Sequence, residues 1–246
     1  MTSLKRINGT TLKVLAMSTM LCDHLWGIGL VDSEWLHMVG RLAFPIFAFL
    51  ITEGYAHTKD FKAYCLRLLG FALISEIPFN LMMGSLIYPF HQNVMFTFLL
   101  ALLLLRGLER LLDKCSSLVI KAILVALFAF LGYALGNITF VDYYGYGILT
   151  VFLFHFTREK RWGWLVQLVG MWYINWVLIS GFSFTLHFMG WEILFPLQAF
   201  ALLALLPIWL YNGQRGPGGK AFQYFTYAFY PAHILVLVLL VRTMGY

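Results

Sequence analysis

The chain has 246 residues, of which 61% are hydrophobic and only 11% charged. That balance excludes a soluble globular protein, whose surface cannot be covered by so few charges, and defines an integral membrane protein. The formal charge of +6 does not point to nucleic acid, because the basic residues occupy alternate loops instead of one patch or stripe.

A hydrocarbon core about 30 Å thick takes about 20 residues of helix per crossing. About nine apolar segments fit: Leu12–Leu30, Trp35–Ala56, Lys62–Gly84, Asn93–Leu112, Leu118–Gly136, Tyr143–Thr157, Trp162–Gly181, Met189–Tyr211 and Ala221–Thr243. The sixth is short for a span. The first follows Lys5, Arg6 and Lys13 as a signal peptide would, but it is too long, holds Asp23 and His24 and lacks a small-residue cleavage site, so it reads as a retained helix.

Lysine and arginine should gather in cytoplasmic connections. They fall at the N-terminus, at Lys59, Lys62 and Arg67, at Arg106, Arg110, Lys114 and Lys121, at Arg158, Lys160 and Arg161, and at Arg215 and Lys220. The intervening connections hold none, and only Arg41 and Arg242 break the pattern. The expected architecture is an all-α polytopic bundle of about nine transmembrane helices, a single domain over residues 1–246, with the N-terminus cytoplasmic. Cys22, Cys65 and Cys115 are odd in number and show no CxxC spacing, so a disulfide framework is not expected.

Gly213–Lys220 is the one glycine-rich loop, and it fails the phosphate-loop pattern because Gln214 stands where a glycine is needed and Ala221 replaces Ser or Thr. It reads as a turn whose Arg215 and Lys220 are placed to touch a ligand's phosphates.

Ionisable groups at bilayer depth are expensive, so they mark sites that are paired or face a wet cavity. With a rise of about 1.5 Å per residue, His24, Arg41, Glu76, Asn175, Gln198 and His233 all fall about 18 to 22 Å from the cytoplasmic ends of six segments. Proline points to the same slab. Pro45 frees the carbonyl of Arg41, Pro196 that of Glu192 and Pro231 that of Tyr227, while Pro78 interrupts the helix beside Glu76. Neighbours along a helix do not face one another, so Asp23 cannot orient His24. Glu76 is the candidate for that role, which releases Asp23 to pair with Arg41.

The stretches LKVLAMSTMLCDH (12–24), GRLAFPIFAFLITEGYAHT (40–58), YCLRLLGFALISEIPFN (64–80), NVMFTFLLALLLL (93–105) and FYPAHILVL (229–237) together resemble the TraX family, whose namesake is associated with N-terminal acetylation of F-type pilin. The resemblance implies a membrane acetyltransferase that draws acetyl groups from acetyl-CoA, a relative of the wider transmembrane acyltransferases, in a bacterial cytoplasmic (inner) membrane. It places weight on Asp23, His24, Gly40, Arg41, Glu53, Ser75, Glu76, Pro78, Asn93 and His233. Residues 106–161 match little, so the acceptor, a pilin-like peptide or a saccharide, is left open.

On this reading His24, Asp23, Arg41 and Glu76 are the catalytic candidates. An imidazole titrates near working pH and suits a general base or an acyl carrier. A fixed guanidinium in a water-poor site stabilises the oxyanion that grows on a thioester carbonyl. Glu53, Asn93, His233, Arg215 and Lys220 are the expected substrate and CoA contacts, and His91 stands in the exterior connection. The plainer reading of each is an interhelical hydrogen bond or ion pair. No histidine or carboxylate spacing matches a metal site, so no metal is expected. Besides acetyl-CoA and lipid, a second copy of the chain is allowed for as a partner. The rival function is a proton-coupled small-molecule transporter, since buried Asp, Glu and His also build proton relays.

Overall fold

The structure is a computed structural model that describes residues 6–179, 181–188 and 190–244. Its helices are α1 (Gly9–Gly27), α2 (Glu34–Gly40), α3 (Ala43–His57), α4 (Phe61–Met82), α5 (Val94–Leu112), α6 (Leu118–Ile138), α7 (Tyr144–Thr157) and α8 (Gly163–Trp172). A π-helical turn (Tyr173–Leu178) continues α8, and two strands follow, β1 (Ser183–Phe188) and β2 (Trp191–Pro196). A 3₁₀ helix (Leu197–Ala204), α9 (Leu205–Trp209) and α10 (Gly219–Thr243) complete the order. Lys5, and Met189 where the eighth segment was expected to begin, lie outside the described residues.

Among the described residues four helical stretches are long and apolar enough to cross a bilayer: Glu34–His57, Phe61–Met82, Leu118–Ile138 and Gly219–Thr243. The first of these includes the bend at Arg41. α1 and α5 reach 19 residues each, but Lys13, Asp23 and His24 dilute the first and Arg106, Glu109 and Arg110 the second. α7, at 14 residues, is about 21 Å long and falls short of a hydrocarbon core.

The expected eighth helix is corrected most. Near its start it holds strand β2, paired antiparallel with β1 from Ser183↔Pro196 to Phe188↔Trp191. The segment SFTLHF alternates apolar and polar residues with the period of a strand, and Gly190, at φ +83°, takes the left-handed backbone of the turn. Pro196 therefore ends a strand and frees no helical carbonyl at Glu192. Pro78 lies inside α4 without interrupting it. The second expected segment breaks into α2 and α3 at Arg41 and Leu42, ahead of Pro45, which has no N–H to offer the Arg41 carbonyl.

The chain forms two compact units. One contains the described residues up to Leu50 and those from Thr157 onward; the other is Ile51–Phe156. In the first, α1 packs on α2 and α10, while α8, the π-turn, the 3₁₀ helix and α9 pack on one another. Asn8 caps α1 by accepting from the Thr11 N–H at 3.0 Å. The glycine-rich loop straps the same end, where the carbonyls of Gln214 and Arg215 accept from the N–H groups of Gly9 and Thr10 at 2.8 and 3.0 Å.

In the second unit α5 packs between α4 and α6. α6 and α7 approach through glycine, since a Cβ on Gly136 would lie 2.6 Å from the Gly145 nitrogen. The three cysteines are unbridged.

Candidate functional site

α1 presents Asp23 and His24 on successive positions, about 100° apart around the helix, and the two side chains reach different neighbours. Asp23 faces α2. There Gly40 is buried so tightly that an added Cβ would lie 2.4 Å from the Asp23 Cβ. The missing side chain lets the two helices close. The next residue, Arg41, donates from Nη2 to Asp23 Oδ1 in a short contact. One turn earlier, His37 Nδ1 lies 2.8 Å from the same oxygen. An ionised carboxylate only accepts, so His37 Nδ1 carries its proton. Arg41 and His37 keep 15% and 12% of their side-chain surface and Asp23 21%, enough burial to make the ion pair costly to break and enough exposure to admit a ligand.

The network continues away from α1. Arg41 Nη1 donates to Gln198 Oε1 at 3.3 Å, Gln198 Nε2 to Asn175 Oδ1 at 2.9 Å, and Asn175 Nδ2 to the Met171 carbonyl at 2.9 Å. Gln198 and Asn175 are both buried. They sit on the 3₁₀ helix and the π-turn, and such departures from α geometry are frequent at functional sites. His37 also stacks on Trp26, with centroids 3.9 Å apart, and Phe182 meets both rings edge-on at 6.1 and 6.4 Å.

His24 faces α10. Its Nδ1 is 2.7 Å from Nε2 of buried His233, and the rings stack 4.9 Å apart. His233 Nδ1 is 2.6 Å from the Phe229 carbonyl, which only accepts. Nδ1 of His233 therefore bears the proton. In the neutral pair its Nε2 accepts, His24 Nδ1 donates, and the basic nitrogen of His24 is Nε2.

Five of the six residues expected on one slab thus belong to one unit, in two groups: Arg41, Gln198 and Asn175 joined to Asp23, and His24 joined to His233. Glu76 lies in the other unit, where its Oε2 accepts from Asn93 Nδ2 at 2.5 Å; at His24 Nδ1 the partner is the His233 imidazole.

Asn93 is fully buried and caps α5 with Oδ1, while Nδ2 bonds Glu76 and the Ala72 carbonyl. Glu53 is half-buried on α3 and its carbonyl accepts from His57 Nδ1 at 2.8 Å. Arg215 is exposed and donates to the Gly219 carbonyl and Gln223 Oε1, both at 3.1 Å; Lys220 is exposed in the first turn of α10. Among the described residues no group of three or more metal-ligating side chains converges.

Two clusters went unread in the sequence. His37 is one, although its spacing of four from Arg41 places both on one face of α2. The other is in the second unit, where Glu109 accepts from Tyr55 in a short hydrogen bond and from His155 at 3.1 Å. His91, singled out only by position, is 3.3 Å from Asp142 Oδ1. That hydrogen bond, aided by the charges of Asp142 and Glu76, raises the imidazole pKa above its ordinary value despite desolvation.

Long apolar helices and a polar network of Asp, Arg, His, Gln and Asn sunk among them define a helical membrane protein with a charged internal site. Its sequence matches the TraX protein family over residues 8–241. The chain belongs to the TraX family. It is also 30% identical, over 92% of either chain, to a probable fimbrial assembly protein, FimC of serogroup H1, from Dichelobacter nodosus. No solved structure matches it.

Proposed function

We propose that this TraX-family protein is a multi-pass acetyltransferase of a bacterial inner membrane, with its N-terminus in the cytoplasm, and that it moves an acetyl group from cytoplasmic acetyl-CoA to an amine or hydroxyl at the membrane or its outer side. The family's link to pilin acetylation and the relative's description as a fimbrial assembly protein favour a pilin-like peptide as acceptor. The observation that carries the reading is the Asp23–Arg41 pair on α1 and α2 next to the His24–His233 pair on α1 and α10.

Acyl transfer from a thioester needs a cation or hydrogen-bond donor for the oxyanion and a group that moves a proton. Arg41 supplies the first. Asp23 and Gln198 hold its guanidinium in place, so little reorganisation is needed when charge develops on the carbonyl oxygen. His24 supplies the second, with its tautomer set through His233. Attack by the acceptor forms the new C–N or C–O bond, collapse of the adduct breaks C–S, and the thiolate leaves as the thiol. Arg215 and Lys220 meet CoA phosphates from the loop side.

The test is purified protein in lipid nanodiscs given acetyl-CoA and a panel of peptide, amine and sugar acceptors, read as thiol release and acetylated product. Release that requires an acceptor supports the reading. Folded protein that neither binds CoA nor releases thiol with any acceptor overturns it.

A further inference from the structure

Beside His24 and His233 the site contains a third imidazole, which the transfer scheme above leaves idle. We propose that His37, held by Asp23 and stacked on Trp26, is the catalytic base that takes the acceptor's proton, while His24 serves the departing thiol; this assignment rests on the transferase reading.

The geometry sorts the two histidines by what holds them. Asp23 Oδ1 accepts from His37 Nδ1 at 2.8 Å, an arrangement that fixes the tautomer and turns Nε2 into the basic nitrogen, while Arg41 Nη2, 3.3 Å from the same Nδ1, shares the carboxylate. His24 has an imidazole at its Nδ1 instead, so proton gain there is shared along a chain ending at the Phe229 carbonyl. His37 stands on α2 against the Asp23 side of α1, and His24 stands on α1 against α10, so the two proton-transfer groups lie on two sides of α1.

The His37 ring stacks on Trp26, and Phe182, 72% exposed just ahead of the β1–β2 hairpin, stands edge-on beside both rings. An aliphatic amine or hydroxyl entering there meets an aromatic face, a carboxylate and a base, the combination that suits a primary amine. With the basic loops cytoplasmic, the hairpin lies on the outer side, which is where the acceptor arrives in the proposed reaction.

The chemistry balances. The acceptor nitrogen forms the C–N bond and gives its proton to His37 Nε2. The adduct collapses, C–S breaks, and the sulfur takes the Nε2 proton of His24, which enters this step as the imidazolium. His37 releases its proton to water and His24 regains one, leaving acetylated acceptor and free CoA thiol.

The test compares two acceptors in nanodisc-reconstituted protein, each rate taken after subtraction of the protein-free reaction: a short peptide with a free N-terminal amine, and hydroxylamine, which is largely unprotonated at neutral pH and needs little help from a base. His37→Asn keeps a side-chain N–H for Asp23 but removes the base. It should lower the peptide rate by roughly 10² to 10⁴ and the hydroxylamine rate far less. His24→Gln should depress both. Where His37→Asn does not fold, His37→Gln is measured with the same pair. Equal loss with both acceptors, or no loss with either, overturns the role of His37. A folded wild-type protein that releases no thiol with any acceptor overturns the transferase reading itself and this assignment with it.

Discussion

The two units of the chain treat buried polar residues differently. In the unit that carries α1 and α10, the polar chain from Asp23 to Met171 crosses elements that each depart from regular helix: the break after Gly40, the 3₁₀ helix under Gln198 and the π-turn under Asn175. In the unit spanning Ile51–Phe156, the polar contacts of Glu76, Asn93 and Thr97 tie regular helices together at their ends. Asn93 shows the second style, since every polar atom of its side chain is used for capping and cross-linking. Irregular backbone frees main-chain groups and lets side chains converge, and it is tolerated where protein or water satisfies it. The comparison separates a site from a scaffold, and substitutions on each side should behave accordingly.

The largest effect is expected at Arg41. Arg41→Ala strands Asp23 against α2 and should cost about 3 to 5 kcal/mol, toward the lower figure because both side chains retain exposure, and should abolish transfer. Thermal unfolding in detergent reads the first and thiol release the second. A stable, active Arg41→Ala variant would break the contrast between the units.

Gly40→Ala comes next. Its Cβ has no room beside Asp23, so α1 and α2 must separate, at about 1 to 3 kcal/mol, and the Arg41–Asp23 contact must lengthen. Both the melting temperature and the rate should fall, and an unchanged rate would show that the close approach is packing alone.

Asn93→Ala should lose about 1 kcal/mol or somewhat more, from a lost cap and a stranded Glu76, yet keep its transfer rate per folded molecule. A catalytic loss larger than the stability loss would move Asn93 from scaffold to site.

The smallest effect concerns His91. Its pKa is raised in the folded state, so the Asp142 contact contributes stability fully below the unfolded value of about 6.5 and loses that contribution as pH rises through the folded value. Asp142→Asn should flatten that part of the stability profile, as urea titrations on either side of neutrality would show.

Much of the site was legible in sequence because charge inside an apolar run is costly and therefore conspicuous. Asp23, His24, Arg41, Asn175, Gln198 and His233 all stood out, and the Asp23–Arg41 pair follows from the rule that adjacent helical residues face apart. His37 did not, since a histidine near a segment end reads as interfacial. Its spacing of four from Arg41 was the available signal.

The hairpin was hidden because an apolar stretch of helical-span length outweighed the two-residue alternation of Ser183–Phe188 and the glycine at 190. The family resemblance carried the acetyl-transfer chemistry that no spacing of residues could supply.

The measurement that bears most directly on the site is acetyl-CoA-dependent thiol release by wild-type protein and by His24→Ala, each reconstituted and shown to unfold at a similar temperature. Removal of the imidazole should cut acceptor-dependent release by roughly 10² to 10⁴ with little change in stability. Equal release by the two proteins would contradict a transfer centre built on α1.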